Sequence, residues 1–333
     1  VVKNSNTSEK TFLRDDKNPH LQAASWIQIE VARKLFAAAN LDFDKTFAAA
    51  GRPGFRAVEL PVRLKAHITS TVRPFQSPNV VGILPGLQRP DQAILYTAHY
   101  DHLGFVPGMA GDNIYNGAAD NATGVGMILE LAHAWACLRG SLGPAGLPHS
   151  VLIAAVTAEE QGLVGSEYLG QNPPIPSAQI ALDINYDMIL PIGIPLEIDV
   201  NGAQRTSFYP EVEKAAKAFN LTIVPDPRPE AGSYYRSDHF SLSRTGIPAF
   251  SIDTGSLFQG HDRAWGMTKF QDFEDHDYHN FSDNFHADWD FSGNAKLIRF
   301  GMDLGWQVIN SKEPISWNPG DEFEAARLAS QKR

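Results

Sequence analysis

The sequence predicts an α/β fold: a mixed, mostly parallel central sheet with helices on both faces. Two observations predict it. Runs at residues 93–98, 151–157, 180–186 and 247–252 are short and nearly all apolar, the pattern of strands buried on both faces. Between the first two, Val125, Ile128, Leu129, Ala132, Trp135 and Ala136 recur at helical spacing. Strands that alternate with helices make one doubly wound domain.

Composition agrees. A chain of 333 residues, 43% hydrophobic and 20% charged, can bury a substantial core. Its net charge of -10 argues against nucleic acid or an anionic membrane as the main partner. No apolar run approaches ~18 residues, so no membrane span is expected. The single cysteine, Cys137, excludes an intramolecular disulfide and a Cys-based zinc site, and reads as a small core residue.

Taken in order, residues 1–17 are polar and lack a period, and are expected to be a tail or the remnant of a missing N-terminal region. Residues 18–311 are expected to form the main domain, and 312–333 a C-terminal tail with a helical stretch near 322–330. Asn18-Pro19 starts a helix bearing Ala24, Ile27, Val31 and Leu35, which Asn40 ends. A shorter helix over 44–50 stops at Gly51. Val58, Leu60, Val62, Leu64, Ala66 and Ile68 alternate with polar residues, which predicts a half-wet strand. Pro61 puts it at an edge, with 79–84 as its neighbour. Beyond the buried strands, helices are expected at 209–219, 238–244 and 294–309.

Ligands gather outside the carboxyl ends of strands in such sheets. His99 and Asp101 follow the first buried strand, and Glu159-Glu160 follow the second. Asp183 and Asp187 lie in and after the third, and a long loop beyond the fourth leads to Tyr278-His279. A Gly-rich stretch, 117–124, brings Asp120 to the mouth of a helix. Imidazoles and carboxylates converging on one edge suit a divalent metal. Five ligands exceed one four-coordinate zinc but fit two metals that share a carboxylate, as in two-metal hydrolases.

The set His99-x-Asp101, Asp120-Asn121, Glu159-Glu160, Asp187-Met188 and Tyr278-His279 resembles the co-catalytic di-zinc aminopeptidases, metallopeptidase family 28. The resemblance implies a zinc-peptidase α/β/α sandwich, two Zn2+ per chain, and peptides with a free, apolar N-terminal residue as substrates. It implies that Asp120 bridges the metals, that His99 and Asp187 complete one position, and that Glu160 and His279 complete the other. Glu159 would be the general base on a water between them. Asp101 would hydrogen-bond the far nitrogen of His99, and Arg236 would face substrate. The peptide Asp120-Asn121 would be cis. A periplasmic or secreted setting, and residues 1–17 as the remnant of a junction with a missing protease-associated domain, are implied on the same ground.

Competing readings leave signatures. A carboxypeptidase needs a cationic pocket, and Arg236, Arg244 and Arg263 form no cluster that the sequence can place. A glutaminyl cyclase would use one zinc and lack a counterpart of His99. A binding domain without chemistry would have lost ligands or base. Among the individual residues, Asp120 also reads as a helix N-cap. Asp183 competes with Asp187, and His276 with His279; the resemblance favours Asp187 and His279. His102, His133, His149, His261 and His286 read as structural or surface residues. The loop 255–273, with Phe258, Trp265 and Phe270, reads as a pocket wall or a packed surface loop.

Overall fold

The computed structural model describes residues 9–14, 25–63 and 65–332. Contacts divide the chain into two units, one of residues 1–10 and 14–75, the other of 11–13 and 76–333. The first unit holds α1 (Ile29–Ala38) and α2 (Phe43–Ala50), joined by the ring contact of Phe36 with Phe43, which also stacks on Phe47 within α2. Asp42 caps α2 by accepting from the Lys45 N–H at 3.0 Å. Neither helix has a buried residue. The expected helix start at Asn18 lies outside the described residues.

The alternating segment at 58–68 forms no strand among its described residues, and Val58, Val62 and Ile68 are exposed. Period-2 alternation marks a face, but a strand also needs a partner for its N–H and C=O groups. Its expected neighbour pairs elsewhere.

In the second unit β1 (Val80–Leu84), β2 (Arg89–His99), β5 (His149–Val156), β6 (Ile180–Tyr186), β7 (Glu197–Asp199), β8 (Thr222–Ile223) and β9 (Ala249–Thr254) form one sheet. Its order is β1-β5-β2-β6-β9-β7-β8. The four central strands β5, β2, β6 and β9 run parallel; β1 is antiparallel to β5, and β7 to β9. A separate ribbon pairs β3 (Gly104–Phe105) with β4 (Ile114–Tyr115).

Alternate residues of β2 serve two cores, as a pleated strand requires. Ile94, Tyr96 and Ala98 pack with Leu131 and Trp135 of α3 (Thr123–Ser141) and Phe300 and Leu304 of α8 (Ser292–Asn310). Ala93 and Leu95 join Leu169 of α4 (Val164–Gln171) and Leu242 of α6 (His239–Arg244) in the other cluster. Each such buried aliphatic or aromatic side chain contributes ~1.5–3 kcal/mol. α8 lies close on the sheet: a Cβ at Gly301 would sit 1.8 Å from the Tyr186 hydroxyl, and one at Gly305 1.9 Å from that of Tyr96. Tyr96 Oη donates to the Gly301 carbonyl at 3.0 Å. Gly301→Ala would therefore push the helix off the sheet that carries the site.

Three expectations are corrected. Residues 312–333 are no tail: Ile315, Trp317, Phe323 and Arg327 are buried. Arg205 lies over the rings of Tyr234 and Phe323 at 4.7 Å and pairs with Asp321 at 2.8 Å. Residues 263–276 of the expected long loop form α7 (Arg263–His276), capped by Asp262, which accepts from the Trp265 N–H at 2.8 Å. That helix buries only Gly266, so it carries no strong apolar stripe. Cys137 is exposed on α3 rather than in the core. α5 (Tyr209–Ala218) and α9 (Glu324–Ser330) lie where the periodicity predicts them; α4, β7, β8 and the β3–β4 ribbon were not expected.

Candidate metal centre

Strand order assembles the site. β2 ends at His99, and its two sheet neighbours end just before Glu159-Glu160 and Asp187. Three adjacent parallel strands therefore deliver three motifs to one edge. Asp120 arrives from the loop before α3, and His279 from the loop after α7. The peptide Asp120-Asn121 is cis, as the resemblance implied. Ala158, Met188 and His279 have φ near +55°, three of the six non-glycine residues with positive φ among those described. Such backbone costs ~1–3 kcal/mol per residue and tends to collect at functional sites.

The predicted ligands meet as two sets that share Asp120. His99 Nε2 lies 3.0 Å from Asp187 Oδ1 and 3.2 Å from Asp120 Oδ1. His279 Nε2 lies 3.0 Å from Glu160 Oε2 and 3.4 Å from Asp120 Oδ2. Ligand atoms on a tetrahedral ion with arms of ~2.0–2.1 Å stand about 3.3 Å apart. All four separations match that spacing, and the N/O donor set without thiolate suits zinc or its divalent neighbours. The residues fit two ions.

Polar side chains behind the ligands hold them. Ser237 Oγ donates to Asp187 Oδ2 at 2.6 Å and accepts from Asn185 Nδ2 at 2.8 Å. Thr97 Oγ1 contacts Asn185 Oδ1 at 2.9 Å and both oxygens of the buried Asp183. Asp183 thus braces the strands and does not face the histidines. Asn121 Oδ1 accepts from the Gly124 and Met188 N–H groups, while its amide donates to the Tyr186 carbonyl at 2.9 Å. Asp283 accepts from the N–H groups of Ala119 and Asp120 at 2.8 and 3.0 Å. His276 is exposed and contacts the Asp272 carbonyl, so it takes no part.

The expected bond from the Asp101 carboxylate to His99 is absent. The Asp101 carbonyl takes that place, 3.1 Å from His99 Nδ1, while the carboxylate oxygen stands at 3.9 Å. Asp101 Oδ1 instead accepts from the Glu159 N–H at 3.1 Å, so it orients the segment bearing the expected base. His102, read as structural, is almost buried and places Nδ1 2.7 Å from Glu160 Oε1. Arg236 is exposed at the end of the turn Ser233–Arg236, one residue before Ser237.

The electrostatics follow from burying acids beside imidazoles. Burial would lower the His99 imidazolium, but Asp187 and Asp120 hold it well above its ordinary value. His279, opposed by burial in the same way, is raised to about 9 by Asp120 and Glu160. Burial and then Asp187 push the Glu159 carboxyl well above its usual value. For Glu160, bonds from His102 and His279 outweigh burial and hold the carboxyl down. Glu160 is thus kept anionic while the neighbouring carboxyl of Glu159, the candidate base, is kept proton-hungry.

The family model of peptidase family M28 matches residues 79–299. The chain belongs to that family. Among similar proteins, leupeptin-inactivating enzyme 1 of Streptomyces exfoliatus is 28% identical over 300 residues, covering 83% of this chain and 60% of that protein. A probable zinc metalloprotease of Pyrenophora teres f. teres is 34% identical over 117 residues, 35% of this chain and 23% of its own length. The chain thus spans less than two thirds of these curated relatives. The LapA aminopeptidase of Legionella pneumophila shares the fold, with a TM-score of 0.52 at 19% identity over 71% of this chain and 55% of that one.

Sequence reasoning missed Asn121, Ser237, Asp283 and His102 as supports of this M28 centre. Each stands beside or within a motif already singled out, and that adjacency was the available signal.

Proposed function

We propose that the chain is a zinc-dependent exopeptidase that hydrolyses the N-terminal peptide bond of peptides. The carrying observation is the pair of histidine–carboxylate sets joined by Asp120, with Glu159 beside both. Two zinc ions held by His99, Asp120 and Asp187 and by Asp120, Glu160 and His279 would supply Lewis acidity and a water acidic near pH ~7. Glu159 takes a proton from the attacking water as the O–C bond forms. It then gives that proton to the leaving amine as the C–N bond breaks. A raised carboxyl suits both halves of that transfer. Asp101 keeps the base in place through the Glu159 N–H.

Surplus acidic groups favour a substrate with a free α-ammonium, and Arg236 is assigned to the rim where the peptide continues. Leu190, Ile192, Trp265 and Phe273 line a cavity of about 390 Å³ that reaches Ala119, beside the bridging aspartate. Those walls support an apolar first residue. Asp272, Asp277 and Asp288 also line the cavity, which makes a basic residue the second choice. Among the described residues no helix is long and apolar enough to cross a membrane; a secreted or periplasmic setting rests on family resemblance and is checked by fractionation.

The test is hydrolysis of leucine, lysine and N-acetyl-leucine p-nitroanilides by zinc-loaded protein. Leucine should be cleaved fastest and the blocked substrate spared. Glu159→Gln should lose ~10²–10⁴ in kcat while still binding two zincs. Equal cleavage of the blocked substrate would end the aminopeptidase reading, and an unchanged kcat would remove Glu159 from the chemistry.

A further inference from the structure

We propose that His102 is a positioning residue of the second metal position: its Nδ1–H grips one oxygen of Glu160 so that the other is presented to the ion. This rests on the reading of the site as a two-metal centre. In the sequence His102 stands outside the five expected ligand positions, and its adjacency to His99-x-Asp101 is the one signal. His102, Asp120 and Glu160 bring donor atoms within 4.8 Å of one another, which alone would permit His102 to be a ligand.

Distances decide between the two roles. His102 Nδ1 and Glu160 Oε1 are 2.7 Å apart, the length of a charge-assisted N–H···O bond. The four separations within the two ligand sets run from 3.0 to 3.4 Å, the spacing of two donors on one ion. Glu160 is therefore divided: Oε1 takes the His102 proton, and Oε2 sits with His279 at 3.0 Å.

The ring is held for this task. Its side chain is 5% exposed, and His279 and Tyr115 meet it edge-on at 5.6 and 6.3 Å. Gly117, at φ +61°, leaves room for it: a Cβ there would lie 2.7 Å from His102 Cγ and 2.4 Å from the Asp120 carbonyl. The loop that aims the bridging aspartate thus also wedges His102 against Glu160. A histidine with nothing to orient would not need its ring pinned between both loops of the centre. Partners of this kind hold a ligand's rotamer, and their loss costs ~10–100-fold in metal affinity.

The test compares His102→Asn and His102→Gln in the full chain, titrated with zinc against a chromophoric chelator, with circular dichroism of the metal-free proteins as the fold control. Both variants fill much of the imidazole's space, but the Asn amide occupies the place of Nδ1 and the Gln amide that of Nε2. H102N should bind its second zinc within about threefold of wild type, whereas H102Q should lose ~10–100-fold at that zinc and nothing at the first. Equal losses in both variants would make His102 a ligand and overturn the positioning role, as would a loss in H102N alone. Wild-type affinity in both variants would remove His102 from the centre. A wild-type chain that takes up fewer than two zincs would instead overturn the two-metal reading, and the His102 assignment with it.

Discussion

The two candidate ligand sets share Asp120 but are built by different means. His99 is 1% exposed at the end of β2, and Asp187 follows the neighbouring strand β6, so the ladder itself sets their separation. Behind Asp187 stands the chain Ser237–Asn185–Thr97. Glu160 follows β5, but its partner His279 is 32% exposed and hangs on a loop at φ +56°. That loop is tied down by Asp283, whose carboxylate takes two N–H groups of the Asp120 loop. The contrast teaches that a strand end takes its spacing from the ladder and its side-chain rotamer from hydrogen bonds behind it, whereas a loop must take its place as well from hydrogen bonds to other segments.

The largest effect should come from the residue common to both halves. Asp120→Asn is expected to weaken both zincs, by well over the ~10–100-fold that an outer partner costs. Metal analysis after dialysis checks this. Retention of one full zinc would show that the halves do not share a bridge.

Proton competition should sharpen the comparison next. The metal-free His279 imidazolium, raised to about 9, must lose its proton before it can bind. Affinity at the second position should therefore rise about tenfold per pH unit between pH 7 and 9 and level off above. His99 is also raised, so zinc uptake by both halves should release protons at pH 7. Zinc affinity that stays flat from pH 7 to 9 would break this account of the loop-borne half.

A smaller, one-sided change should follow Ser237→Ala, which removes the hydroxyl from Asp187. The first zinc should weaken ~10–100-fold and the second should keep its affinity. Equal losses at both would mean that the halves are mechanically one, and the contrast drawn here would fail. H102Q is the mirror image, acting on the second position alone.

Much of the fold was legible because burial on both faces writes a local apolar run: the predicted strand at 180–186 has the same bounds in the structure. α7 was not, since it buries one glycine and its best signal was the Asp262 cap. The strand expected at 58–68 shows the reverse error, a clear period with no ladder to join. In the site, His99 and Asp187 stand in one set, Glu160 and His279 in the other, and Asp120 in both. The Asp101 side chain does not do what was expected of it, because the Glu159 N–H lies nearer than His99.

By itself the sequence determined the residue types of the candidate site and the strand ends beside which His99, Glu159-Glu160 and Asp187 stand, since both depend on residues close in the chain. Only the tertiary structure decided which atom meets which. Asp283 reaches Ala119 across 164 positions and His102 reaches Glu160 across 58. A hydrogen bond is made or lost within a few tenths of an ångström. No local pattern carries that information, and the contact of His102 with Glu160 was not legible for that reason.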